Sequence, residues 1–443
     1  MYRSRSAGLA AFVAASLVAC SDAPVSPSSD PTPPQDISMS RGVAPASGDD
    51  VVEGEILVKL KAGKDADEVS SKHGLVVKER GYKDEFFVLK GKPGEERDDA
   101  KKLKDADDVE WSEPNYLRQP TVVDSKLWAF YNPGGLRMSY TSGGTGYIGS
   151  QYTSIADADE DNVESYGAGG AAVVVGSLDT GVDFAHTEFN PGQLIAGRDW
   201  TTKKPNANPN DVDGHGTHTT GTMAGRTVGV AGVSGAGSNV TVYVQKVCGP
   251  RGCPTSAIIN AIRAAADYPG MVAMNLSLGG GTLSSGERDA IAYATGKDVL
   301  VIASAGNGGN GAVACPACDV NSISVAATNW RDAKTSYSQY GPGLDISAPG
   351  GECYSNTTPE GCIYSAYVGG GYDWLQGTSM AAPQVTGTAG IVASKTGLRG
   401  AALRARLLGT VDDIGAAGYD ETFGAGRLNS YRAVTTTSLG AGL

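Results

Sequence analysis

The 443-residue chain is short of basic residues, of histidine and of any apolar run near its start long enough to cross a membrane, and each shortage excludes something. Its 36 Lys and Arg are outnumbered by 48 Asp and Glu, and a net charge of −12 opposes nucleic-acid binding driven by counterion release. The apolar stretch from Ala7 to Ala19 is too short to span a bilayer as a stable helix. With only His73, His186, His215 and His218 in the chain, candidates for an imidazole base are few. Glycine is in excess instead, 62 residues without a collagen-like triplet, so it serves turns and close backbone approaches.

Arg3 and Arg5 ahead of the apolar stretch mark residues 1–20 as a signal peptide, so the chain is expected to be exported, to an extracellular or periplasmic location. The stretch ends in Leu17, Val18, Ala19 and Cys20, which resembles the bacterial lipoprotein box, where cleavage leaves a lipid on the cysteine. A lipid at Cys20 is then the one expected tie to a membrane, and an ordinary signal peptide is the alternative. Residues 21–50, rich in proline and serine, read as a disordered linker.

Charge divides the remainder. Residues 51–118 hold 31 charged side chains in 68 positions, and residues 119–443 only 45 in 325, which implies two separately built domains. In the first, apolar Ile56, Leu57, Val58 and Leu60, a helical stretch Asp65–Lys72, strands Leu75–Lys78 and Phe86–Leu89, a charged helix Glu95–Leu103 and a strand near Val109–Trp111 give the order βαββαβ. In the second, buried strands Ala171–Leu178, Val240–Val247, Met271–Leu278 and Val299–Ala303 alternate with helical stretches Thr217–Ala224, Ser256–Ala266 and Gly286–Ala294. That alternation predicts an α/β fold, a doubly wound, mostly parallel sheet with helices on both faces. Ligands of such sheets collect beyond the carboxyl ends of the strands.

The chemistry-bearing residues cluster at those ends. Asp179-Thr180-Gly181 follows the first strand directly. The same triplet marks aspartic proteases, but these need two carboxylates sharing a proton, and no second Asp-Thr-Gly occurs. His215 sits between Gly214 and Gly216 at a helix start, whereas His218 and His186 read as structural histidines. Gly377-Thr378-Ser379-Met380-Ala381 opens an apolar helix through Val385, Ala389, Ile391 and Val392. A serine hydroxyl becomes a useful nucleophile when an imidazole takes its proton and a carboxylate fixes the imidazole's tautomer. Asp179, His215 and Ser379 supply those three groups.

In these motifs, over roughly residues 170 to 435, the chain resembles the subtilases, the subtilisin-like serine proteases. The resemblance implies a serine endopeptidase in which Asp179 orients, His215 is the base and Ser379 the nucleophile. It makes Asn307 in Ala305-Gly306-Asn307-Gly308 an oxyanion donor beside the Ser379 N–H, and Ser277, Leu278 and Gly279 a strand that binds the substrate backbone. It sets Ala314 near the base of the primary specificity pocket; with no acid between Gly308 and Cys318, an apolar or aromatic residue is expected before the scissile bond. The unit at residues 51–118 resembles the inhibitory propeptides of these enzymes, so the protein is expected to be a self-processing zymogen, cut between about Asn115 and Asp124, acting on proteins or peptides as a monomer. No cofactor is implied for the chemistry. Structural calcium is common in the family, but no ligands can be assigned; Asp157, Asp159 and Asp161 repeat as in a calcium loop, yet Asn162 and Ala168 stand where Gly and Glu belong. Gln384 and Gln376 depart from the family's usual His and Ser. Cys248, Cys253, Cys315, Cys318, Cys353 and Cys362 favour sequence-close disulfides, with zinc on the first four as the rival. A catalytically inactive peptide-binding scaffold and an esterase with the same triad are the alternative functions.

Overall fold

The computed structural model describes residues 51–120, 137–139, 145–147, 170–226, 239–329, 331–353 and 361–436. Cys20 and the Asp157–Asp161 repeat lie outside them. The first elements are β1 (Val51–Leu60), α1 (Ala66–Lys72), β2 (Val76–Arg80), β3 (Phe87–Lys90), α2 (Glu96–Lys104) and β4 (Val109–Pro120), in the expected βαββαβ order. Asp65 starts α1 by accepting hydrogen bonds from the N–H groups of Asp67 and Glu68 at 3.0 Å. The strands pair antiparallel in the order β4-β1-β3-β2. Alternation along β1 and β3 separates two faces. Ile56, Val58, Phe87 and Leu89 join the small unit's own core, while Leu57, Val88 and the preceding Phe86 pack into the core of the large sheet's helices. Burying each such side chain contributes about 1.5–3 kcal/mol.

A hairpin of β5 (Arg137–Ser139) and β6 (Thr145–Tyr147) precedes the large sheet. There follow β7 (Val173–Asp179), β8 (Leu194–Asp199), α3 (His215–Ala224), β9 (Val240–Lys246), β10 (Cys253–Pro254), α4 (Thr255–Ala266), β11 (Met271–Leu276), β12 (Leu278–Gly279), α5 (Ser285–Thr295) and β13 (Leu300–Ser304). The chain continues through β14 (Ser322–Thr328), β15 (Ile346–Pro349), β16 (Ile363–Tyr367), β17 (Gly371–Leu375), α6 (Thr378–Thr396), α7 (Gly400–Leu408) and α8 (Ser430–Thr435).

Seven strands form one parallel sheet in the order β15-β14-β13-β11-β7-β9-β8. Val173 and Val175 point into a core shared with α3, α6, α7 and α8, while Val174 points into the core under α4 and α5. The order reverses between β7 and β11, which opens a crevice beyond their carboxyl ends. The central helix α6 is buried nearly throughout, and a Cβ on Gly390 would meet Val175 and Val240 at 3.0 Å.

Three differences from the expected elements have separate physical reasons. Strand β14 reads Ser-Ile-Ser-Val-Ala-Ala-Thr, too polar to stand out as a buried run, yet all seven residues are buried because the serines are hydrogen-bonded: Ser324 Oγ donates to Gly343 O at 3.0 Å. Strands β8 and β15 are equally short of apolar signal. β4 runs on past Trp111 to Pro120 because residues up to Tyr116 continue along β1 and the last four pair with β10 and β12, strands distant in sequence.

Candidate active site

Asp179 is the last residue of β7, and His215 is the first of α3. His215 Nδ1–H donates to Asp179 Oδ1 at 2.6 Å, which fixes the tautomer and leaves Nε2 as the basic nitrogen. Thr180 N–H at 2.7 Å and Thr219 Oγ1 at 3.1 Å hold the carboxylate in place. Glycine is required on both sides of the imidazole. Gly214 has φ 113°, and a Cβ there would enter the Tyr367 ring; a Cβ on Gly216 would lie 2.1 Å from Gly181 O. Burial alone would lower the His215 pKa, but the carboxylates of Asp179, Asp213 and Asp211 outweigh it and hold it above the ordinary histidine value. Asp213, whose Oδ1 accepts from His215 N–H at 3.2 Å, is pushed up to about 6 by burial first, with Asp211 and Asp179 adding to the rise and His215 opposing it.

Sequence reasoning overlooked Asp211. This buried carboxylate accepts five hydrogen bonds: at Oδ1 from Thr180 Oγ1 (2.9 Å), Asp213 N–H (2.9 Å) and Gly214 N–H (3.1 Å), and at Oδ2 from Thr217 N–H (2.9 Å) and Thr217 Oγ1 (2.6 Å). Thr180 Oγ1 in turn accepts from Gly216 N–H at 2.8 Å, so one carboxylate ties the turn carrying Asp179 to the turn carrying His215. The only signal in the sequence is its nearness to the Gly-His-Gly motif.

Ser379 occupies the first turn of α6. Pro383, four residues on, has no N–H for the Ser379 carbonyl, which instead accepts from Ser277 Oγ at 2.7 Å. The Ser379 hydroxyl donates to Ser277 O at 3.3 Å, and His215 Nε2 is buried without a hydrogen-bond partner. The expected Ser379–His215 hydrogen bond is therefore not formed in this resting arrangement. Asn307 lies beyond the end of β13. Its Oδ1 accepts from Thr378 N–H at 3.0 Å and Thr378 Oγ1 at 2.9 Å, so its Nδ2 faces the other way, buried and without a partner. An orphaned donor and an orphaned acceptor are what a site awaiting an oxyanion and a proton leaves open.

The two other histidines of the large sheet are structural. His218 Nε2–H donates to Ile363 O at 3.0 Å, and burial, then His215, push its pKa down to about 3. His186 Nε2–H donates to Gly371 O at 2.6 Å while Nδ1 accepts from Glu188 N–H at 3.1 Å. Gln384 Nε2 donates to Pro349 O at 2.6 Å and Gln376 Oε1 accepts from Cys353 N–H at 2.6 Å, which gives both departures from the family pattern a packing role.

The cleft beside these groups is filled. β4 is the middle strand of a ribbon: Arg118 and Leu117 pair antiparallel with Cys253 and Pro254 of β10, and Pro120 and Gln119 with Leu278 and Gly279 of β12. Cys248–Cys253 and Cys315–Cys318 are disulfides, as is Cys353–Cys362, so the thiols expected to pair in sequence do so and the zinc rival fails. Cys253 belongs to one rim, and Cys315 exchanges two backbone hydrogen bonds, 2.8 and 2.9 Å, with Gly280 beside the other. Ala314 N–H donates to Ala305 O at 2.8 Å, which sets it against the Asn307 segment. Among the described residues no group of three or more His, Cys, Asp or Glu could hold a metal ion, and no helix is long and apolar enough to cross a membrane.

A parallel sheet with an Asp–His pair and a helix-borne serine at its carboxyl edge defines a subtilisin-like serine protease, and the chain belongs to the subtilase family, whose model matches residues 170–426. A second model, the fervidolysin N-terminal prodomain, matches residues 38–115. Thermitase of Thermoactinomyces vulgaris is 37% identical over 60% of this chain and 90% of its own length. The thermophilic serine proteinase of Bacillus sp. (strain AK1) is 32% identical over 87% and 88%. The crystal structure of fervidolysin from Fervidobacterium pennivorans, described as a keratinolytic enzyme related to subtilisin, superposes with a TM-score of 0.65 at 25% identity, covering 89% of this chain and 62% of that one. The protein is thus an exported hydrolase of the subtilisin type carrying an N-terminal prodomain.

Proposed function

We propose that this protein is a self-processing zymogen that hydrolyses internal peptide bonds through an acyl-enzyme on Ser379. The observation that carries the reading is the end of β4. An extended peptide lies between two strand edges, and Pro120 pairs with Leu278, the neighbour of the Ser277 carbonyl to which the nucleophile donates.

In the reaction the Ser379 hydroxyl turns to His215 Nε2, gives up its proton there and attacks the carbonyl carbon. Asp179 keeps the imidazole in register and stabilises the imidazolium. The oxyanion accepts from Asn307 Nδ2–H and the Ser379 N–H, at the N-terminal end of a 19-residue helix whose dipole favours negative charge. The imidazolium then protonates the leaving amine, and water, deprotonated by His215, releases the acid.

Counting one residue past Pro120 assigns the self-cleavage to the Thr121–Val122 bond. Thr121 is uncharged, in keeping with a pocket whose lining from Gly308 to Cys318 has no acid, though it is neither apolar nor aromatic as expected for substrates. The prodomain, residues 51–118 with its tail in the cleft, blocks the site until removed. A lipid at Cys20 would sit on the removed piece, so maturation would free the protease from the membrane. Side by side, native precursor and Ser379→Ala are assayed for processing and casein cleavage; the native form should mature to a chain beginning at Val122, by N-terminal sequencing, and the variant should do neither. A variant that matures like the native form would sink the proposal.

A further inference from the structure

The small unit touches the protease well outside the cleft, and there it meets two helix ends with unfilled N–H groups. Helix α5 caps itself only in part: Ser284 and Glu287 form a reciprocal box, which leaves the N–H groups of Ser285 and Gly286 without an intrahelical acceptor. Glu113 of β4 fills both, accepting from Ser285 N–H at Oε2 (2.6 Å) and from Gly286 N–H at Oε1 (2.9 Å). Gly286 makes room for this; a Cβ there would lie 3.3 Å from Glu113 Oε1 and 2.5 Å from Ile259. Helix α4 begins after Pro254, which has no side-chain acceptor. Asn115 supplies one, with Oδ1 accepting from Ser256 N–H at 3.0 Å and Nδ2 donating to Ser256 Oγ at 3.0 Å, while Thr255 Oγ1 donates to Tyr116 O at 2.7 Å. One strand therefore docks side chains on two neighbouring helix ends before it enters the cleft.

All the receiving groups, at Thr255, Ser256, Ser285 and Gly286, belong to the protease and stay with it when the prodomain leaves. We propose that in the mature enzyme these two helix ends form a remote substrate site, which selects protein substrates carrying a Glu-x-Asn sequence at seven and five residues before the residue that pairs with Leu278. The inference rests on the proteolytic reading above. Recognition is through acceptor oxygens at close range more than through charge: burial raises the Glu113 pKa, and the two N–H bonds oppose that rise. Glutamine, with one acceptor oxygen, should keep part of the effect and alanine none.

The test uses matured protein and three synthetic peptides: the chain's own residues 111–126, the same peptide with Glu113→Ala and Asn115→Ala, and residues 117–126 alone. The unsubstituted long peptide should show a KM about tenfold lower than the substituted one, with kcat unchanged. Ser285→Pro in the enzyme removes one receiving N–H at a helix position that tolerates proline, and should narrow that ratio. Equal KM for the two long peptides, or a ratio untouched by Ser285→Pro, would overturn the remote site while leaving proteolysis standing. Failure to hydrolyse all three peptides would overturn the proteolytic reading, and the remote site with it.

Discussion

Asp211→Asn is the most informative single change outside the proposed triad of Asp179, His215 and Ser379. The amide is isosteric but has one acceptor oxygen where the carboxylate has two. Turned to keep the three donors at Oδ1, it sets an NH2 against the Thr217 N–H and hydroxyl. The hydroxyl can rotate and accept, but the Thr217 N–H is stranded, at a cost of about 1–3 kcal/mol. The catalytic consequence follows from what Asp211 joins: if the turns bearing Asp179 and His215 drift apart by ~1 Å, turnover falls on the order of 10²-fold. A second readout separates this from simple loss of stability. Asp211 is among the carboxylates that raise the His215 pKa, and the base acts only when neutral. Removing that charge lowers the pKa, so the acid limb of kcat/KM should move to lower pH. The assay is a pH profile of kcat/KM on a chromogenic peptide, beside thermal unfolding of the same preparation. An unchanged acid limb and kcat, with only a lower Tm, would refute the positioning argument.

Other expectations follow from the same geometry. Asp213→Asn removes another of the charges that raise the His215 pKa, so its acid limb should also shift downward; no displacement in the pH profile would count against the electrostatic account. Asn307→Ala should lower kcat on the order of 10²–10³-fold with little change in KM, a figure that comes from mutagenesis of a relative in this family; a loss seen mainly in KM would exclude the oxyanion role. Phe86→Ala empties a contact between the prodomain and the core under α4 and α5, at about 3–5 kcal/mol shared between the prodomain's own fold and its docking. Faster appearance of activity after the cut should be seen, and unchanged activation kinetics would show the contact to be idle.

The sequence made the meeting of Asp179 and His215 legible because glycine marks both positions. Asp179 and His215 lie where the backbone must turn or approach closely, and that need is written in Gly181, Gly214 and Gly216. The buried strands with dense Val and Ile were legible for the same kind of reason, since a sheet covered on both faces needs apolar side chains at consecutive positions. Asp211 was hidden because an aspartate that accepts five hydrogen bonds looks, along the chain, like any acid in a polar loop. β14 was hidden because its serines find partners only after the fold forms. The length of β4 was out of reach too: residues 112–116 continue along β1, and residues 117–120 are extended because β10 and β12 accept them, more than 130 positions away. The resting direction of the Ser379 hydroxyl depends on the Ser277 carbonyl 102 positions distant, which no local motif encodes.

The two disulfides at the rims give the location of this protein a mechanical meaning. A copy retained among cytosolic reductants would carry Ser379 and His215 but unbraced walls on either side of the slot, and thiols of this kind close only after export. Oxidation would then act as a second gate, separate from the prodomain, that keeps a hydrolase from grasping chains inside the cell that makes it. Precursor folded with and without an oxidant should differ in peptide affinity far more than in the pH dependence of turnover.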